Sequence, residues 1–189
     1  MRIYKLKSDV ENYEWLTLVN EEDWRMMNHL FNGQPAAEKY RSIQVIKMND
    51  QDRDRPLSDC PYLMPGISIL NQKAIDKIWH LFSPYSELLP LSSYEGKFYI
   101  VHVTNILDCI DYQKSIFKRF KNSPESQIMR FIKYAFHSDK VGSNLIFKII
   151  DQPKSTVFVT QEFVNYVNST DITGLKFDLV WDSEEDKVN

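Results

Sequence analysis

The run KFYIVHVT at residues 97–104 carries the strongest strand pattern in the chain. It is built from β-branched and aromatic residues and follows a turn signal at Glu95 and Gly96. Neighbouring positions point to opposite faces, so Phe98 and Tyr99 place aromatic bulk on both sides. A strand that is bulky on both faces needs cover on both, and the pattern therefore predicts a central strand.

Shorter stretches of apolar residues predict further strands along the chain. They lie at residues 1–7, 13–19, 42–48, 127–136, 144–150, 156–159 and 175–181. A turn signal leads from the stretch at 127–136 into 144–150, so these two are expected to form a hairpin. Residues 114–120 mix apolar and basic side chains, which fits either a short helix or a strand that enters a basic face.

Three segments show the spacing of apolar side chains that is typical of amphipathic helices. They are the residues from Asn20 to Phe31, residues 72–82 behind the capping residue Asn71, and residues 161–168 behind Thr160. In the second, the stripe expected to be buried consists of Ala74, Ile75, Ile78, Trp79 and Phe82. Many short strands and few helices predict one α+β domain over residues 1–181, with a mainly antiparallel mixed sheet packed with about three helices.

An irregular segment at residues 49–65 interrupts these patterns with charges and prolines. The charged residues at its start are Asp50, Asp52, Arg53, Asp54 and Arg55. A long charged loop on a compact domain is a favourable place for partner contacts, so these residues form the candidate partner-binding site. The carboxylates are spaced as in a calcium loop, but the glycine at its sixth position and the glutamate at its twelfth are missing. The sequence therefore predicts no metal site.

The formal net charge of −3 hides an uneven distribution. Residues 113–148 contain eight lysines and arginines but only two acids, whereas residues 182–189 contain four acids and one lysine. We expect the acidic tail at 182–189 to be frayed and solvated. The basic region is either an ordinary solvated face or a site for nucleic acid or an acidic partner, and charge alone leaves these alternatives open.

The chain shows no local motif for catalysis. Its four histidines are widely separated and belong to no HxH or HExxH pattern, and no phosphate-binding loop or GxSxG motif occurs. Asp108 and Asp111 lie three residues apart, but paired carboxylates without a nearby histidine or phosphate loop are more often caps or turn formers. The sequence therefore predicts a protein that is not an enzyme and has no cofactor.

Cysteine usage and hydropathy indicate the compartment. Cys60 and Cys109 are far apart and belong to no CxxC pattern, so both are expected to be buried free thiols. No apolar run approaches the roughly 18 residues that a membrane helix needs. The first residues also lack the apolar stretch of a secretory signal. We therefore expect a cytoplasmic protein that makes no membrane contact.

Several short motifs follow one another in a fixed order through the second half of the chain. They are LLPL at 88–91, YIVHVTNILDCID at 99–111 with Ser115, IFK at 146–148, VFVTQEF at 157–163 and TGLKF at 173–177. In this order and spacing, the chain resembles the bacterial polymorphic-toxin immunity proteins of the Imm11 type. The resemblance covers roughly residues 62–181, whereas the first 60 residues match little beyond the opening strand.

The resemblance implies a non-catalytic immunity protein. Such a protein binds a cognate toxin effector in the cytoplasm and neutralises it by sequestration or by blocking its active site. The loop at 50–55 could then present its carboxylates to a basic cleft of the toxin. The alternative is a small cytoplasmic nucleic-acid-binding or enzymatic domain that uses the basic region at 113–148. On the first interpretation nucleic acid is not the expected partner, and the oligomeric state and the chemistry of the toxin stay open.

Overall fold

Two five-stranded β-sheets, a two-stranded hairpin and four α-helices make up the part of the chain that the structure describes. The structure is a computed structural model and describes residues 1–48, 55–120 and 128–185. The strands are β1 (Arg2–Ser8), β2 (Leu16–Leu18), β3 (Ile43–Lys47), β4 (Ser68–Asn71), β5 (Ser86–Ser92), β6 (Phe98–Val103), β7 (Ile106–Leu107), β8 (Ile116–Arg119), β9 (Ile128–Lys133), β10 (Ile146–Ile149), β11 (Val157–Thr160) and β12 (Leu175–Asp182). The helices are α1 (Glu22–Leu30), α2 (Gln72–Phe82), α3 (Ser138–Val141) and α4 (Gln161–Asn168). None of these helices is both long and apolar enough to cross a membrane.

The first sheet has the strand order β12-β1-β11-β10-β7. β1 lies between β12 and β11 and pairs with both in antiparallel orientation. β10 also runs antiparallel to β11, while the short strand β7 runs parallel to β10 at one edge. The opening strand of the chain is therefore an interior strand of a sheet that is otherwise built from the second half of the chain.

The second sheet has the strand order β2-β3-β5-β6-β4. β6 pairs in antiparallel orientation with both β5 and β4, and five of its six residues are buried. This confirms the central strand that the sequence predicts at residues 97–104. β3 and β5 form the one parallel pair among the described strands of this sheet.

The hydrophobic interior consists of three clusters. The middle cluster joins the two sheets and includes Ile78 of α2, Val101 of β6 and Val157 of β11. A second cluster covers the other face of the second sheet, where Met27 of α1 is fully buried. The third covers the other face of the first sheet and includes Phe131 of the β8–β9 hairpin. Because successive side chains of a strand alternate, each sheet supplies residues to two clusters.

The helix that the sequence predicts over 72–82 is α2, and its cap is confirmed. The Asn71 side-chain oxygen accepts a hydrogen bond from the Ala74 amide at 2.9 Å. The buried stripe differs from the expected one, because Leu81 is buried while Ile75 and Trp79 are only half-buried. α2 contacts both β4 and β6, and this packing centres the stripe on the positions that face the two strands.

The prediction that residues 127–136 and 144–150 form a hairpin is wrong. β9 pairs with β8, while β10 pairs with β11 and β7. The turn signal between them forms helix α3, just before which the His137 amide donates a hydrogen bond to the Cys109 carbonyl at 2.8 Å. A bridge between Phe136 and Ile110 directs the chain away from β9 before β10 begins. Residues 114–120, which fit either a helix or a strand, contain β8.

The α+β fold class is confirmed, with differences in detail. The described residues form two mixed sheets where the sequence predicts one, and the short helix α3 brings the helices to four where about three are predicted. At the end of the chain, Asp182 is the last residue of β12, and its carboxylate accepts a hydrogen bond from Arg2 Nε at 2.6 Å. The chain is described as far as Glu185, and residues 186–189 lie outside the described residues.

Candidate protein-binding surface

The loop that the sequence predicts as a partner-binding site lies mostly outside the described residues. The four members outside them are Asp50, Asp52, Arg53 and Asp54. The fifth, Arg55, is described and is held by the chain itself. Its guanidinium donates hydrogen bonds to the Val10 and Glu11 carbonyls at 2.8 and 3.0 Å and lies 3.5 Å from the Glu14 carboxylate. Since its side chain is only 14% exposed, Arg55 anchors the end of the loop.

The β8–β9 hairpin carries four of the seven described lysines and arginines of the basic region, and one face of it is firmly packed. Phe117 lies opposite Phe131 in the register, with their ring centroids 5.7 Å apart. The Phe131 ring stacks on Tyr134 at 4.7 Å, and both belong to the cluster that covers the first sheet. This aromatic contact fixes the hairpin against the body of the protein.

Large apolar side chains are nevertheless exposed on the same hairpin and at its end. They are Ile116, Phe120, Met129 and Ile132, each between 43% and 57% exposed. Two irregularities in the register account for part of this exposure. Ile132 and Met129 are the extra residues at these irregularities, because their neighbours pair with β8 and they do not. Such bulges re-aim side chains, and here they turn two apolar residues outward.

The cations of the hairpin form a charged surface around these residues. Lys114, Lys118 and Arg130 are exposed, and none of them pairs with an acid within the described parts of the chain. Lys118 lies directly opposite Arg130 in the register, so two positive charges are neighbours across the strands. Arg119 lies over the Phe117 ring at 4.8 Å. The hairpin therefore combines exposed apolar side chains with Lys118 and Arg130, two cations that form no ion pair with a described acid.

Lys148 is a member of the basic region by sequence but not by position. Its side chain is fully buried, and its ammonium has no hydrogen-bond partner among the described residues. Burial lowers the pKa of Lys148 to about 8. Lys148 therefore contributes nothing to a basic surface, which is concentrated on the hairpin.

Groups with a potential for catalysis have structural roles where the structure describes them. Asp111 accepts hydrogen bonds from the Gln113 and Lys114 amides at 3.0 and 3.3 Å and so forms a turn. His102 is fully buried, with Nε2 2.8 Å from the Gln34 carbonyl oxygen, and burial lowers its pKa. No group of three or more potential metal ligands occurs within residues 1–48, 55–120 and 128–185. Cys60 and Cys109 are buried free thiols, as the sequence predicts.

A groove of about 420 Å³ opens between β1 and the segment that precedes β4. Apolar side chains dominate its wall, with Leu6 and Met64 among them, and the rings of Trp15 and Tyr62 meet edge to face at 5.6 Å. Among the described residues that line it there is no histidine, cysteine or carboxylate. Lys7 and Tyr62 are the ionisable side chains among these lining residues.

Sequence reasoning placed the candidate site on the loop, most of which lies outside the described residues. It identified only part of the set of exposed apolar side chains on the hairpin. Ile116 and Phe120 were visible as apolar positions among lysines and arginines. Met129 and Ile132 were not, because a regular strand pattern does not reveal bulges.

Comparison with known proteins gives the family of the chain. The model of the Immunity protein family (Imm11) matches residues 74–182, which is more than half of the 189 residues. The match runs from the first turn of α2 to the end of β12 and includes the β8–β9 hairpin. No curated protein matches the chain. By the extent of this match, the chain belongs to the Imm11 immunity protein family.

Proposed function

We propose that this protein neutralises a cognate bacterial toxin by stoichiometric binding in the cytoplasm of the cell that produces the toxin, without turnover. The observation that carries the proposal is the family match over residues 74–182. The described residues are consistent with a binding protein, because exposed apolar side chains lie beside the cations Lys118 and Arg130 on one hairpin. Neutralisation follows from sequestration of the toxin or from obstruction of its active site.

An inhibitor of a lethal enzyme must bind before the enzyme acts, so rapid association is an advantage. Charged surface segments accelerate association by steering the partner. Asp50, Asp52 and Asp54 are candidates for this role, since a toxin that acts on nucleic acid needs a basic cleft for phosphates. The contacts of Arg55 support the proposal, because they fix one end of the loop to the segment that directly follows β1.

The decisive experiment is co-expression with the toxin domain encoded beside this gene. Cells that produce both proteins are expected to survive, and the two are expected to copurify in a fixed ratio. A toxin domain from an unrelated locus serves as the control, because a cognate inhibitor does not protect against it. Death of the co-expressing cells, with this protein folded and abundant, would refute the proposal.

The loop is tested by replacing Asp50, Asp52 and Asp54 together with Asn. If the loop steers association, the on-rate for a catalytically inactive toxin domain falls, and its dependence on salt weakens, while folding is unchanged. The matched control changes three exposed acids elsewhere, namely Glu38, Glu95 and Glu162, to Gln. Equal on-rates for the loop variant and the parent at both low and moderate salt would remove the loop from the mechanism.

A further inference from the structure

We infer that the β8–β9 hairpin docks onto a patch of the toxin protein that has an apolar centre and an acidic rim. The inference rests on the proposed function for the identity of the partner, and on the structure for the chemistry of the contact. The hairpin has two sides with different roles. Phe117 and Phe131 bind it to the body of the protein, whereas Ile116 and Ile132 remain more than half exposed.

The exposed apolar residues form a set rather than isolated positions. Ile116 and Ile132 lie at one end of the two-stranded ribbon, and Phe120 and Met129 lie at the other. Single exposed apolar residues are normal on protein surfaces, but several on one small element mark an interaction site. The bulges at Met129 and Ile132 support the same conclusion. They interrupt the regular strand pairing and re-aim these two side chains.

The nature of these side chains favours a protein partner over nucleic acid. Proteins bind nucleic acid through cations on phosphates and through aromatic side chains stacked on bases. Ile116, Ile132 and Met129 provide neither kind of contact, and Phe120 is the one member of the set that could stack on a base. Methionine and other apolar side chains are instead typical of the buried centre of protein–protein interfaces. The cations of the hairpin then form the rim of such an interface.

The charges of the rim specify an acidic partner. Lys118 and Arg130 are directly opposite each other, and like charges in this position destabilise a pair of strands. No described acid relieves the repulsion between them. Carboxylates on a partner would do so, and Lys114 adds a third exposed cation just before β8. The unfavourable pair is therefore best explained as one half of a complementary contact.

The same charges argue against a second copy of this chain as the occupant. A two-fold symmetric dimer places the same patch of both subunits face to face. Lys118 and Arg130 of one copy would then meet the same cations of the other, without a described acid on the hairpin to separate them. A different protein of opposite charge fits the surface better.

The test measures binding of the parent and two double variants to the catalytically inactive toxin domain encoded beside the gene. Ile116→Ala with Ile132→Ala is expected to weaken binding at least about 10-fold, mainly through faster dissociation. Lys118→Glu with Arg130→Glu is expected to slow association about 10-fold at low salt. The matched controls are Ile150→Ala with Val19→Ala and Lys39→Glu with Lys97→Glu, which change similarly exposed residues elsewhere and should bind like the parent.

Circular dichroism and thermal melts establish that each variant is folded, and Lys118→Gln with Arg130→Gln replaces the charge-reversal variant if that one is not. The inference is overturned if the parent binds and both hairpin variants bind equally well. It is also overturned if the hairpin variants still bind the toxin domain but no longer bind an oligonucleotide. The same holds if they still bind the toxin domain but no longer form a dimer that light scattering detects for the parent. A parent that does not bind the toxin at all overturns the proposed function, and this inference with it.

Discussion

Asp59 and Lys148 are both withdrawn from solvent, yet their surroundings are opposite. Asp59 accepts hydrogen bonds from the Asn71 side chain and the Lys73 ammonium, both at 3.0 Å. It also accepts bonds from the Thr173 amide and hydroxyl at 3.0 and 2.9 Å. Lys148 has no hydrogen-bond partner for its ammonium among the described residues. One buried charge is thus surrounded by hydrogen-bond donors, whereas the other is desolvated without a hydrogen-bond partner among the described residues.

The difference shows in the direction of the two pKa shifts. Burial acts to raise the pKa of Asp59, but the hydrogen bonds from Asn71, Lys73 and Thr173 outweigh it and lower the pKa. For Lys148, burial acts alone and lowers the pKa to about 8. Desolvation disfavours the charged form of both side chains, and hydrogen bonds compensate this cost for Asp59 only. Asp59 therefore stabilises the fold, whereas Lys148 costs stability as long as it is charged.

The largest effect is expected for Asp59→Ala. The substitution leaves Lys73, Asn71 and the Thr173 amide without their acceptor, and it separates the start of α2 from the segment before β12. We expect a loss of about 3 kcal/mol in the free energy of unfolding, measured by urea denaturation. Asp178→Ala is the control, because Asp178 forms an exposed ion pair with Lys7 and should cost below about 1 kcal/mol. Equal losses for the two variants would contradict the structural role of Asp59.

Lys148→Met is expected to have the opposite sign. Methionine has a similar length and leaves no charge to desolvate, so the variant should gain about 2 kcal/mol at pH 7. The same denaturation experiment measures this gain. Lys97→Met, at an exposed position, should change the stability by no more than about 0.5 kcal/mol. A destabilised Lys148→Met variant would show that the ammonium has a partner in solution.

The pH dependence separates charge from shape at the same position. The pKa of Lys148 is about 8 in the folded protein and 10.5 when unperturbed, so the unfolded chain binds more protons between these values. The cost of Lys148 is complete below pH 8 and disappears as the pH rises towards 10.5. Since one pKa unit corresponds to about 1.4 kcal/mol, the advantage of Lys148→Met should disappear over this range. The difference between variant and parent is the quantity to measure, because buried thiols and tyrosines titrate in both. A constant difference would assign the gain to packing.

The smallest effect is expected for Lys73→Gln. Lys73 donates to Asp59, but its side chain is 42% exposed, so solvent weakens the pair. We therefore expect a smaller loss of stability than for Asp59→Ala at pH 7. Because the pKa of Asp59 is lowered in the folded protein, its contribution is present at neutral pH and is lost as the pH falls. Urea denaturation over a series of falling pH values should find that the effect of Lys73→Gln shrinks as Asp59 becomes protonated.

Local patterns predicted the parts of the fold that depend on neighbouring residues. The run at 97–104 has bulk on both faces, and β6 is an interior strand with both faces covered. Asn71 has the chemistry of a helix cap, and its side chain binds the Ala74 amide. In both cases the deciding interactions lie within the element or directly next to it.

Features that depend on distant residues could not be predicted from the sequence. The charge of Lys148 suggested a surface position, but the alternation of β10 places its side chain on the same face as Ile146, towards the middle cluster. Arg55 counted as one of five loop charges, although carbonyls more than 40 residues earlier bind it. The bulges at Met129 and Ile132 exist only because β9 pairs with β8 in that register. Pairing between strands decides all three, and local periodicity does not specify pairing.

The place of β1 between β11 and β12 determines how late in synthesis the first sheet can be completed. β1 is made long before its two partners, yet Tyr4 pairs with Val159 on one side and with Leu179 on the other. Such pairs between distant residues close large loops and form late. The hairpin packs on a cluster that contains Ile3, Phe158 and Trp181, so its support also depends on these late pairs. The hairpin therefore cannot be held in place before β12 has been synthesised.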